Sequence, residues 1–226
     1  MDDHSQTSNE NNARSDQSDL SAHAEARAHL FELLSACVEP EVTSWLNTAR
    51  EHILAQVEPA GGAPDTLAPA LVSALGETLL EVRRRCSRRH LISAFAARDT
   101  AQVATALGAL PIGHWRRDEA AKLWLIADVI AERASWRDAY EILYHIYDAA
   151  DTEGRVVCLR ALNFLAGVPE AGLKIIHDAG RTYLNELMEA AWCHSLFASR
   201  FMSVEEHRKA VLKSLFCEVS VGGFLG

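Results

Sequence analysis

The 226-residue sequence lacks several of the features that would narrow its function quickly. No apolar run approaches the ~20 residues that cross a bilayer, so no membrane span is expected. The polar N-terminus has no basic region followed by an apolar stretch, so no secretory leader is expected and a cytoplasmic location is. There is no CxxC pair: Cys37, Cys86, Cys158, Cys193 and Cys217 are an odd, widely spaced set inside apolar helical patterns. Such spacing suits reduced, buried thiols of a cytoplasmic protein better than disulfides or a metal centre. GxGxxG, GxxxxGK[ST], GxSxG and HExxH are all absent, so nothing implies a cofactor, and a phosphate-cradling glycine loop is excluded. Strand signals are scarce; only Val219 to Phe224 reads as extended.

What is present is apolar content at helical spacing. Hydrophobic residues make up 49% of the chain, enough for a sizeable core. The formal charge is −9, but residues 1–19 carry Asp2, Asp3, Glu10, Asp16 and Asp19 against Arg14 alone, a net of −4. That leaves −5 for the rest, a field that disfavours phosphate backbones and argues against nucleic acid as a partner. Residues 1–19 have too little apolar surface to offset their ordering entropy and are expected to be a disordered acidic tail. Residues 20–226 read as one helical domain.

The six prolines (Pro40, Pro59, Pro64, Pro69, Pro111 and Pro169) punctuate this domain at or near proposed helix boundaries. Helices are expected at about 20–38, 41–57, 67–86, 88–97, 99–108, 116–132, 136–150, 153–166, 170–179, 182–194 and 203–218, about nine once short neighbours merge. Leu123, Ile126, Ala127 and Ile130 follow i, i+3, i+4, i+7 and share one face. Ser203 with Glu206 forms a capping box. Trp115 to Ala120 and Trp136 to Ala139 open successive helices with similar residues, as antiparallel neighbours do. The fold class is all-α: a multi-helix bundle or a short α-solenoid of antiparallel helical hairpins.

Chemistry-bearing residues are dispersed. Of the ten histidines no pair lies at i, i+4, so no single helix chelates a metal, and none is assigned. His145, His177, His194 and His207 fall on four separate late segments and converge only through tertiary folding. Glu205 and Glu206 are adjacent, so they diverge around the helix and suit capping better than acid–base work. Arg84, Arg85, Arg88 and Arg89 form a basic cluster in which Arg84–Arg88 and Arg85–Arg89 share helix faces. Such pairs either clamp a carboxylate or phosphate, or lie in solvent and complement a helix dipole.

Four ordered segments carry a family likeness. They are Trp115 to Leu125 (WRRDEAAKLWL), Ala149 to Leu162 (AADTEGRVVCLRAL), Arg181-Thr182 followed by Glu189-Ala190-Ala191, and Val211 to Phe216 (VLKSLF). Together they resemble the EboA family, helical proteins of a bacterial and algal gene cluster associated with secondary-metabolite biosynthesis and traffic. Trp45-Leu46 and the arginine-rich stretch near residue 85 fit the same likeness more loosely. Where the family tends to have an Asn-Pro-aromatic-Pro turn, this chain has Ser195-Leu196-Phe197-Ala198.

The resemblance implies a helical accessory protein that binds a small-molecule metabolite or a pathway protein. It places Lys122, Glu153, Arg160, Arg181, Glu189 and Lys213 at matching positions, and His177 and His194 lie nearby in the chain. Buried basic residues of this kind are either braces paired with carboxylates or the polar lining of a pocket. Two other readings stand beside it: an enzyme whose site is assembled from Glu153, His177, Arg181 and His194, and a protein–protein scaffold. A homo-oligomer is open in each.

Overall fold

The computed structural model describes residues 4–57 and 64–224, with side chains described from residue 18 onward except at 95 and 96. Among the described residues no helix is long and apolar enough to cross a membrane. The helices are α1 (His4–Ser35), α2 (Pro40–Gln56), α3 (Pro64–Arg85), α4 (Phe95–Arg98), α5 (Arg117–Arg133) and α6 (Ala139–Ala149). They continue with α7 (Thr152–Ala161), α8 (Pro169–Arg181), α9 (Asn185–Trp192), α10 (Leu196–Phe201) and α11 (Val204–Phe216).

Six of the helices form two rows, as short loops between amphipathic helices favour. One row is α5, α7 and α9, each touching the next; α3, α6 and α8 form the other, and α6 packs across to α5 and α7. Helices α1 and α2 cover the outer side of α5. This explains why α5 is buried at eleven positions, including both Leu123 and Leu125 on opposite faces. Helix α8 buries only one stripe, Gly172, Ile175, Ile176 and Ala179, the spacing of a helix with one wet side. Helix α11 buries only Ala210 and Ser214 and leaves Val204, Leu212, Leu215 and Phe216 exposed.

The helical expectation holds, with local corrections. The compositional step at residue 19 falls inside α1, whose inward positions begin past it at His23, Ala26, Leu30 and Leu34. The helix expected at 99–108 is instead an antiparallel hairpin of β1 (Gln102–Thr105) and β2 (Gly108–Pro111). Val103 faces Leu110 across the ladder and both are buried, while α1 packs against β1. The alternation was hidden by alanines of high helix propensity. Gly108 has φ +131, which a β-branched or bulky residue would not adopt without strain. The boundary assigned to Pro59 lies outside the described residues. Pro69 sits inside α3 rather than at its start.

The helix expected at 88–97 does not form either. Helix α3 closes when Cys86 N–H donates to the Val82 carbonyl, and the chain turns to pair with residues 115–117. Leu91 N–H donates to Trp115 O at 2.8 Å, and Arg117 N–H to Arg89 O at 2.9 Å. The expected capping box is present: Ser203 Oγ accepts from Glu206 N–H, and Glu206 Oε2 from Ser203 N–H. All five cysteines are free thiols, with Cys86, Cys158 and Cys193 buried.

Candidate functional site

The backbone pairing of 89–91 with 115–117 carries Arg88 and His90 to the N-terminus of α5. There Glu119 accepts from the Arg116 N–H at 3.0 Å, which satisfies a donor that the helix start leaves open. Helix α7 begins beside it, capped by Asp151, whose Oδ1 accepts from Gly154 N–H at 2.8 Å. That start fixes Glu153 in the first turn and Arg160 two turns further on. Helix α9 faces both, presenting Glu186, Glu189 and Ala190 at i, i+3, i+4. These elements enclose a cleft of about 430 Å³, lined on one side by Arg88, Arg116, Arg160, Glu119 and Glu153 and on the other by Glu186 and Glu189. His90, His114, Cys193 and His194 complete it.

Ion pairs join the first wall. Glu153 pairs with Arg88, with Arg83 at 3.4 Å and with Lys122 at 3.9 Å. Arg160 donates to Glu119 at 2.7 Å, and Arg116 reaches the same carboxylate at 2.8 Å. The Arg160 guanidinium lies 5.5 Å from the Trp115 ring centre, a cation–π contact. Beneath the wall, Asp118 is 1% exposed, and neither carboxylate oxygen has a hydrogen-bond partner. Its nearest cations are Arg116 Nε at 3.7 Å and Arg88 Nε at 4.0 Å. Burial pushes the Asp118 carboxyl above the usual range, against the pull of Arg116. Burial also opposes ionisation of Glu119, but Arg160 and the Arg116 N–H outweigh it and hold that carboxyl below its usual range.

The cleft ends in a pair of imidazoles. The rings of His114 and His194 lie 4.8 Å apart, tilted by 34°. His194 follows the end of α9 with φ +57, a conformation that few non-glycine residues adopt. It is held there because its N–H donates to Gly223 O at 2.6 Å and Cys193 bridges to Phe224. Desolvation lowers the pKa of His194; Glu189 opposes this and Arg160 adds to it. Desolvation against the cleft wall, with Arg160 and His194 nearby, likewise holds His114 below the usual histidine range. Desolvation thus disfavours the protonated form of both rings. Burial pushes the Cys193 thiol up to about 11, and its S–H donates to Ser220 O, so it is no thiolate nucleophile.

Arg88, Glu153, Arg160, Glu189 and His194 all line this cleft, and Lys122 lies behind Glu153. The other residues singled out in the sequence are elsewhere. His177 pairs with Glu206 at 2.9 Å on the α8–α11 surface. Lys213 donates to Gly180 O and Thr182 O at 2.6 and 2.7 Å, closing the end of α8. Arg181 and Arg89 are exposed. Arg84 and Arg85 pair with Glu81, and Arg85 covers Trp45. The guanidinium clamps Arg84–Arg88 and Arg85–Arg89 do not form, because α3 ends at Arg85 and the chain turns away. His194 lies in the break before α10, which is capped by Ser195 and does not follow from the sequence as a separate helix. It does not meet His145, His177 or His207.

Sequence reasoning missed His114, Arg116, Glu119 and Glu186. The available signal was the mixed-sign run Arg116 to Glu119 at the start of a helix whose next two turns, Ala120 to Ala127, are apolar but for Lys122. Among the described residues no group of His, Cys, Asp and Glu is arranged to hold a metal ion. Compared with known proteins, the chain matches no family model, no curated protein and no solved structure.

Proposed function

We propose that this protein binds a small polar metabolite in the cleft between α5, α7 and α9, as a non-catalytic accessory protein of secondary-metabolite biosynthesis or traffic. One observation carries the binding role. Charged residues chosen from sequence alone (Arg88, Glu153, Arg160 and Glu189) meet with His194 around a cavity of about 430 Å³, the size range of small-molecule sites. The pathway assignment is supported by the EboA-like segments, two of which supply the α5 and α7 sides of the cleft. The apolar face of α11 supports a pathway protein as a further partner. A pure scaffold needs no internal polar pocket, so the cleft weighs against that reading.

The test is a thermal-shift screen of polar metabolites with titration of the hits, since a ligand that prefers the native state raises stability by mass action. Arg160→Met is expected to weaken a hit by about tenfold, as loss of a charge-assisted contact does. Its far-ultraviolet circular dichroism should stay native. Hits whose affinity ignores this substitution would remove the cleft from the account.

A second reading, a biosynthetic enzyme, is favoured by one feature. The His194 imidazole lines the cleft with its protonated form disfavoured by desolvation, as suits a general base. Turnover of a pathway intermediate by the purified protein alone would establish that reading and end the non-catalytic one.

A further inference from the structure

We infer that the ligand of this cleft is a zwitterion, a small molecule that carries a primary ammonium group at one end and a carboxylate at the other. This rests on the reading of the cleft as a ligand site, and it names the chemistry that the site selects.

The two walls differ in their unbalanced charge. On the α5–α7 side the network holds five cations, Arg83, Arg88, Arg116, Lys122 and Arg160, against the carboxylates of Asp118, Glu119 and Glu153. Of these, Arg88, Arg116 and Arg160 line the cleft against Glu119 and Glu153, so the lining keeps an excess of one positive charge and the whole network an excess of two. It is also built from the first turns of α5 and α7, whose aligned peptide dipoles add positive potential. Each guanidinium offers five N–H donors, and the pairs with Glu119 and Glu153 leave donors on Arg88, Arg116 and Arg160 for an incoming oxyanion.

The α9 side has the opposite sign. Glu186 and Glu189 face the cleft, and among the described residues neither forms an ion pair. His114 and His194, with rings 4.8 Å apart, close the end of the cleft. The imidazoles add neither a carboxylate nor a guanidinium, so the cleft keeps one positive wall and one negative wall. A dianion would meet the Glu186 and Glu189 carboxylates, and a dication would meet the arginines. A molecule with one charge of each sign satisfies both walls without leaving a carboxylate or guanidinium opposed by its own kind.

The experiment uses three five-carbon probes that differ only in their ends: 5-aminovalerate, glutarate and cadaverine. Binding to the full chain is followed by proton–carbon correlation of the histidine ring Cε1–H groups, at matched ionic strength because exposed pairs are screened. 5-Aminovalerate is expected to bind about fivefold more tightly than either symmetric probe, the increment of one favourable exposed ion pair. It should shift the His114 and His194 resonances and leave those of His177 and His207 in place. In Glu186→Gln/Glu189→Gln the preference over glutarate should vanish, and in Arg160→Met the preference over cadaverine should vanish. Glutarate or cadaverine binding as tightly as 5-aminovalerate to the unsubstituted protein overturns the zwitterion and leaves the cleft as a site of the other chemistry. If no probe moves His114 or His194, the cleft itself is not a site, and both conclusions fall.

Discussion

His23 is 4% exposed in α1, with Nδ1 lacking a hydrogen-bond partner. Burial, reinforced by Arg27 and opposed by Asp19, lowers its pKa from 6.5 to about 4. The unfolded chain therefore binds this proton more readily than the folded one. Stability from the neutral ring is fully present above pH 6.5 and is lost as pH falls toward 4. The difference amounts to about 3 kcal/mol at 1.36 kcal/mol per pKa unit. His23→Gln removes the titration, so its urea midpoint should fall much less than that of the unsubstituted protein between pH 7 and pH 4. Equal losses in the two proteins would show that His23 does not carry this acid sensitivity. At this scale the sequence was partly legible. Glu153 and Arg160 stood out as charges in apolar helices, but their partners, Arg88 and Glu119, are 65 and 41 residues distant and share no pattern with them. Nothing in the chain marked His23 as buried, because a histidine on a helix reads alike whether its face is wet or dry.

Elements that follow one periodicity were the ones read well; those shaped by a neighbour were not. Helices α5, α8 and α11 begin and end within about two residues of expectation, since apolar spacing, Pro169 and the Ser203–Glu206 box are all local signals. The stretch between α3 and α5 is different. There the chain leaves helix because residues 89–91 find backbone partners at 115–117, and Ile112 N–H donates to Ala101 O at 3.0 Å. This turn depends on Gly113, where an added Cβ would lie 1.9 Å from the Arg98 carbonyl oxygen. Gly113→Ala must push backbone against backbone, and overpacking of this kind costs about 1–3 kcal/mol. Urea unfolding of that variant should show the loss, and the His114 ring resonances should shift because the neighbouring residue moves. A variant as stable as the parent, with an unmoved His114 signal, would mean that the loop is looser than its geometry.

Across the whole molecule, burial is uneven. Helix α7 touches α5, α6 and α9, so its Leu159 is sealed on all sides, whereas Phe216 on α11 is 83% exposed. Leu159→Ala is expected to cost about 2–5 kcal/mol by lost transfer energy and a residual cavity. Phe216→Ala should stay within about 0.5 kcal/mol, as solvent-facing substitutions do. Matching losses in thermal unfolding would contradict the two-row arrangement. By itself the sequence determined the helical class, most helix boundaries, the capping box and which charges lie in apolar surroundings, since periodicity, caps and prolines act over a few residues. Only the tertiary structure decided which of those charges meet. It joined Arg88, Glu119, Glu153, Arg160, Glu189 and His194, added His114, and sent Lys213, His177 and Arg181 elsewhere. The cleft is the gap left where α5, α7 and α9 pack side by side, and that packing is set by contacts between residues far apart in the chain.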